Sequence, residues 1–217
     1  GWPNQYALYN RYINNESPAW WVLPIDDDEF LWVSDKFNTN VNKCLLDVVK
    51  CNNHRLKVSV GWRNMFPKNY AETRINNHMV LNATGWSDTA SEIWQCGNRP
   101  VKTFVLTTHK YEWTDRISHS THDPLVDGKY LPAATIDNKP VHNSWQDSPT
   151  SNNADMILYH YQFKSNSEWK YKCEMRVSAG AKNWNKNYPD LYKKLYINTD
   201  IKIDNRVSNL WTGNHIA

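Results

Sequence analysis

Four consecutive carboxylates, Asp26, Asp27, Asp28 and Glu29, follow the apolar run "AWWVLPI" and lead straight into Phe30, Leu31 and Trp32. If the backbone stays extended there, alternate residues share a face. Asp26 and Asp28 then point one way, and Asp27 and Glu29 the other. Two ionised carboxylates about 5 Å apart repel by roughly 3 kcal/mol at an effective dielectric of about 20. Water, a shared proton or a cation has to offset that repulsion. A solvated acidic turn is the plain alternative. The apolar residues on both sides weigh against it, because a chain that returns at once to a core leaves little room for bulk water. Ligands of open α/β sheets gather beyond the carboxyl ends of the strands, and a hard divalent cation with oxygen ligands suits this pair of acids.

A second constellation lies in "DRISHSTHD", where His119, His122 and Asp123 follow Asp115. Two histidines and an aspartate can hold zinc, which would make the chain a metallohydrolase. The spacing differs from the helical HExxH pattern, and no helical periodicity frames it.

The elements around these residues follow from periodicity. Residues 5–15 read as a short helix with Tyr6, Tyr9 and Ile13 on one face, broken by Ser17-Pro18. Residues 19–25 are apolar on both faces, as in the buried centre of a mostly parallel sheet. Residues 38–52 predict a helix with Val41, Cys44, Leu45, Val48 and Cys51 on one stripe and Asn or Thr as its cap. Residues 55–62, 101–109 and 156–163 predict strands. Ser165 and Glu168 form a possible capping box for a helix through residue 179, with Trp169, Cys173 and Val177 inward and Gly180 at its end. A last helix is expected over residues 189–196. Residues 63–100 carry loop signals, and residues 110–153 read as long loops of the kind that bear binding sites. The expectation is a single α/β domain over residues 1–217 with a mostly parallel mixed sheet.

Composition sets bounds. With 217 residues and a net charge of +3, the chain can build one sizeable core and has no basic block for nucleic acid. No apolar run approaches the roughly 18 residues of a membrane span. Four cysteines without a CxxC pair read as reduced core residues, which favours the cytoplasm. Two sequons, at Asn15 and Asn82, are expected by chance in so Asn-rich a chain. The start, "GWPNQYALYN", is no leader peptide and reads as the interior of a longer protein, whose missing start could carry an anchor. Trp (12) and Tyr (12) are abundant, and their flat apolar faces with polar tips suit sugar rings, so a non-catalytic carbohydrate-binding module is a further reading.

The stretch "WWVLPIDDDEFLW" resembles the signature strand and DxD metal motif of GT-A-fold glycosyltransferases, closest to the family 2-like group and family 92 (domain of unknown function 23). Three further segments agree in order. Gln5, Tyr9 and Asn10 resemble the family's "Q…YN" helix. Val101-Lys102 resembles the strand that leads to a His-x-Pro, matched here by His122-Asp123-Pro124. His160, Tyr161, Lys164, Ser165, Glu168, Trp169 and Lys172 resemble the late "HYxxKSxxE" segment. The resemblance covers residues 5 to 180, and such domains occur in large algal viruses. It departs from the family in two places. The chain starts at the Q…YN helix, so the strands that bind the nucleotide base are expected to be missing and the chain to be a fragment. The stretch "GWRNMFPKN" keeps Trp62 and Phe66 of the acceptor loop but not its glycines.

The resemblance implies a metal-dependent transfer of a sugar from a nucleotide-diphosphate donor to a glycan or other hydroxyl acceptor, with Mn²⁺ or Mg²⁺ as cofactor. Asp28 is the first metal ligand it implies, Asp26 a second ligand or a ribose contact, and His160 the residue that completes the shell. Lys164 and Ser165 are expected at the diphosphate, and Trp62, Arg63 and Asn64 at the acceptor. An inverting transfer needs a base; Glu72, Asp88 and Asp123 are the candidates, with no choice among them.

Overall fold

A computed structural model of the chain describes residues 2–51, 56–69, 82–86, 101–113, 124–129, 131, 133–135, 140–141, 155–161, 165–180 and 201–212. It divides into two compact units, one of residues 1–27, 31–62 and 98–158, the other of residues 28–30, 63–97 and 159–217. The expected helix over residues 189–196 and Cys96 lie outside the described residues.

In chain order the elements are α1 (Trp2–Arg11) with a π-helical turn (Tyr12–Glu16), β1 (Trp21–Val22), β2 (Glu29–Val33), α2 (Val41–Cys51), β3 (Lys57–Asn64), β4 (Gly85–Trp86) and β5 (Val101–Leu106). Then come β6 (Tyr111–Glu112), β7 (Leu125–Val126), β8 (Ala133–Thr135), β9 (Pro140–Val141), β10 (Met156–His160), α3 (Asn166–Ser178), β11 (Lys202–Ile203) and α4 (Arg206–Trp211). The fold is mixed α/β, and its main sheet is mixed. The sheet runs in the order β1-β5-β3-β10-β2, with β8 on β3 and β9 on β8. β3 pairs antiparallel with β5, from Lys57 opposite Val105 to Gly61 opposite Val101, and parallel with β8.

The first unit is built around β3. Its residues from Lys57 to Arg63 are all buried, so both faces of this strand are covered. Polar positions on such a strand need internal partners. Lys57 Nζ donates to the Pro124 carbonyl at 3.0 Å, and the Ser59 and Thr103 hydroxyls lie 3.2 Å apart. Val58, Val60, Trp62, Phe104, Met156 and Leu158 form one core with Cys44 and Leu45 of α2. Full burial of such aliphatic side chains contributes roughly 1.5–3 kcal/mol each. The α2 helix opens three residues later than the predicted residue 38, because Asn38 and Thr39 are at φ +52° and +55°; the Asn40 side chain accepts from Lys43 N at 3.1 Å.

A second cluster in the same unit seats α1. Tyr6 and Ile13 are buried with Val105, Tyr111, Trp113 and Val126, and Tyr9 packs against them, which is the predicted face. Asn10 exchanges two hydrogen bonds with the backbone of Trp113, at 3.1 and 2.7 Å. Asn14 does the same with Tyr111, at 2.7 and 2.8 Å. Two amide side chains a turn apart thus satisfy backbone groups of β6 as a neighbouring strand would.

The apolar run at residues 19–25 is where the structure corrects the sequence reading. Only Trp21 and Val22 form a strand, β1, which pairs antiparallel with β5 at the end of the sheet path and is half-buried. Pro24 has no N–H to give a ladder, so pairing stops before it. Trp20 is 79 % exposed and Ile25 43 %, so the run is a short edge rather than a buried centre.

In the second unit the chain after β3 is fixed by a two-way bridge, Phe66 N to Gly85 O and Gly85 N to Phe66 O, both 2.9 Å. A Cβ on Gly85 would stand 3.0 Å from the Phe66 carbonyl oxygen, so any larger residue would push the two segments apart by a few tenths of an ångström. β4 pairs antiparallel with β11. The predicted cap of α3 is present: the Ser165 hydroxyl accepts from Glu168 N at 3.2 Å and donates to the Glu168 carboxylate at 2.9 Å. Trp169 and Cys173 are buried as expected, Val177 is exposed, and Gly180 ends the helix at φ +84°.

Cys44 and Cys173 are free and buried. Burial pushes the Cys44 thiol up to about 12 and the Cys173 thiol up to about 11. Since the thiolate is the reactive form, neither should be alkylated by iodoacetamide at pH 8 in the folded protein, and both should be in urea. Peptide mapping by mass spectrometry reads each cysteine separately.

Candidate functional site

The acidic stretch divides between the two units. Asp26 belongs to the first. Its Oδ2 lies 3.3 Å from Lys102 Nζ of β5, and its Oδ1 accepts from Gln5 Nε2 of α1 at 3.3 Å. Gln5 also reaches the Tyr9 hydroxyl at 2.6 Å, so α1 and β5 together orient this carboxylate. Lys102 is almost fully buried, with its ammonium 5.7 Å from the Trp62 ring centre. Asp27 and Asp28 form a turn, and β2 begins only at Glu29. The alternation expected for these acids therefore does not apply, since a turn places no two residues on one face of a sheet. Asp26 has a lysine partner in its own unit.

Asp28 belongs to the second unit. Its carbonyl accepts from Tyr161 N at 2.8 Å, which ties the turn to the end of β10. Its side chain is 15 % exposed; Oδ1 lies 3.5 Å from His160 Nε2, and Oδ2 lies 3.5 Å from Lys172 Nζ of α3. His160 Nδ1 stands 3.0 Å from Asn64 Oδ1, at the end of β3. Nδ1 thus faces Asn64, and Nε2 is the nitrogen nearer Asp28. A basic nitrogen facing a carboxylate oxygen calls for positive charge between them: a proton or a metal ion.

The distance bears on that choice. At 3.5 Å, His160 and Asp28 are beyond the 2.7–3.2 Å typical of N–H···O bonds. Two cis ligands about 2.0–2.1 Å from an octahedral ion stand about 2.8–3.0 Å apart, and those of a tetrahedral ion about 3.3–3.5 Å apart, so the pair stands at the outer limit of a shared coordination shell. Among the described residues no group of three or more His, Cys, Asp or Glu stands together as a metal site.

A second charged cluster in this unit is structural. Asp204 is buried, and its carboxylate accepts from Arg63 Nη1, from the Tyr159 hydroxyl at 2.7 Å and from Arg206 Nη2 at 2.6 Å. Arg206 N also donates to it, at 3.1 Å, a local turn that closes before α4. The Arg63 guanidinium lies 4.0 Å from the Trp86 ring centre. Burial raises the Asp204 pKa, but the hydrogen bonds from Arg206 and Tyr159 outweigh it and hold the carboxyl at about 2. Burial pulls Arg63 downward, yet arginine's ordinary value leaves it charged throughout.

The remaining predicted residues fall as follows. Trp62 is in the first unit's core, Arg63 in the Asp204 cluster, and Asn64 against His160. Ser165 is fully buried as the cap of α3. Glu72, Asp88, Asp123, Lys164, His119, His122 and Asp115 lie outside the described residues. Sequence reasoning gave Lys172 and Lys102 no role and missed Asp204 altogether. "DNR" at residues 204–206 is a visible local signal, but nothing in sequence joins it to Arg63, 141 positions earlier. Comparison of the chain with models of protein families, with curated proteins and with solved structures finds no match.

The lowered Asp204 pKa fixes the sign of an acid effect. A depressed carboxyl contributes stability that is full above its unfolded value of 3.8 and is lost as pH falls towards about 2. Urea unfolding should show wild type losing about 2 kcal/mol more than Asp204→Asn between pH 5 and pH 2. At pH 7 the substitution itself should cost about 3–5 kcal/mol, because it strands Arg63.

Proposed function

We propose that this chain is a metal-dependent glycosyltransferase that moves a sugar from a nucleotide-diphosphate donor to a hydroxyl of a glycan or similar acceptor. The observation that carries this reading is the Asp28–His160 pair, 3.5 Å apart at the ends of the acidic turn and of β10, with Lys172 on the other carboxylate oxygen. It supports the reading because the two residues that the motif resemblance marks as ligands, 132 positions apart in sequence, meet at a separation one cation can span.

Asp28 and His160 would hold Mn²⁺ or Mg²⁺. Such an ion, when bound, neutralises negative charge on a departing diphosphate. The protein's own contribution is orientation and charge. The Asp28 backbone is fixed by Tyr161 N, and the His160 ring by Asn64. The Lys172 ammonium adds positive charge beside the same carboxylate, which favours an anionic leaving group over a neutral one. Asp26 is oriented by Lys102 and Gln5 within the first unit.

A carbohydrate-binding module is the second reading, and exposed aromatic side chains favour it, Trp20 at 79 % and Tyr171 at 64 % among them. Against it, Trp62, Trp86, Trp113 and Trp169 are buried, so these rings serve the core rather than a sugar platform.

One assay separates the two. With Mn²⁺ the chain should hydrolyse or transfer sugar from nucleotide-diphosphate donors, EDTA should stop turnover, and Asp28→Asn should lower it about 100-fold or more. Glycan binding that survives EDTA, is lost in Trp20→Ala and comes with no donor turnover would replace the transferase by the module.

A further inference from the structure

We propose that Asn64 is a positioning residue: its side-chain carbonyl holds His160 in the tautomer protonated on Nδ1, and so turns the Nε2 lone pair towards Asp28. The inference takes its purpose from the proposed cation site, but its geometry stands in the second unit alone. Asn64 Oδ1 and His160 Nδ1 are 3.0 Å apart. The next residue locks the two side by side, because Met65 N donates to the His160 carbonyl at 2.8 Å. The side chain is 7 % exposed, so water does not compete freely for its nitrogens. A neutral imidazole has one donor and one acceptor, and a carbonyl at Nδ1 contributes about 1 kcal/mol or more to one tautomer. That is roughly a fivefold bias or more.

The opposite arrangement fits less well. If the Asn64 amide donated to Nδ1, the proton would sit on Nε2 and point at Asp28 Oδ1. A charge-assisted bond of that kind closes to about 2.7–2.9 Å, whereas the atoms stand 3.5 Å apart. Asn64 therefore plays towards His160 the part that outer partners play for metal-bound histidines, where the second ring nitrogen is engaged so that the first is free to ligate.

The test needs no activity. Long-range ¹H–¹⁵N spectra of the chelated protein, above the titration of the ring, report the tautomer directly, and the signal missing in His160→Gln identifies His160. The wild type should show Nδ1–H. Asn64→Leu should move the pattern to Nε2–H or a mixture, and Asn64→Asp, which keeps an acceptor, should restore it. An Nε2–H pattern in the wild type, or one unchanged by Asn64→Leu, overturns the proposal. In parallel, calorimetry should find Mn²⁺ bound about 10–100-fold more weakly by Asn64→Leu and near normally by Asn64→Asp. A tautomer that follows Asn64 in a protein that takes no Mn²⁺ supports the positioning role while sinking the transferase reading.

Discussion

A carboxylate leaves water only where positive charge and hydrogen-bond donors replace it. Desolvation costs several kcal/mol per ion even after relaxation, so each buried acid dictates what surrounds it. This constraint organises both units. In the first, the buried ion is a base: Lys102, placed by β5 and flanked by the Trp62 ring, lies against Asp26, whose own side chain is 43 % exposed. In the second, Asp28 draws His160 and Lys172, and Asp204 draws Arg63, Arg206 and Tyr159. The apolar core decides that the strands assemble. The acids decide which basic side chains must stand at their ends.

Asp28 and Asp204, both in the second unit, answer the same demand differently. The Asp204 side chain is 4 % exposed and surrounded by short bonds from two guanidiniums and a phenol. Its charge is met in full by residues whose positions are set by β3, β10 and α4, and a ligand could enter only by breaking them. Asp28 keeps 15 % of its side chain in contact with solvent and faces its two basic partners at 3.5 Å. Such an arrangement is looser than the Asp204 cluster, because neither basic partner closes to the 2.7–2.9 Å of a charge-assisted hydrogen bond.

The helices were legible where apolar spacing and a cap coincide. The Tyr6–Ile13 face, the Asn40 cap and the Ser165–Glu168 cap are local facts, and local physics fixes them. β3, β5 and β10 were legible because their apolar runs end in turn signals. The run at residues 19–25 misled because hydropathy is silent about which side of a strand meets a neighbour. An edge may expose a tryptophan when only two residues pair. Of the candidate site, the residue types of Asp28 and His160 were legible and their partners were not. Asn64 and Lys172 acquire meaning only when β3 and α3 bring them beside residues far away in sequence.

One helix shows how a sequence pattern can carry more than its periodicity. Gln5, Tyr9, Asn10 and Asn14 lie within three turns of one another on α1 and its π extension. Asn10 and Asn14 read the backbone of Trp113 and Tyr111, 103 and 97 positions away, and so fix where the helix lies. The Tyr9 ring meets Trp113 edge-on at 5.8 Å. With the helix held at that end, its first turns can deliver a single polar group, and Gln5 delivers its amide to Asp26. Tyr9, 2.6 Å from the same amide, limits its rotation. The spacing of glutamine, tyrosine and asparagine thus has a mechanical reason. Moving Gln5 by one position would turn it about 100° around the helix and away from the acid, while the asparagine clamp would hold the helix too firmly for it to follow.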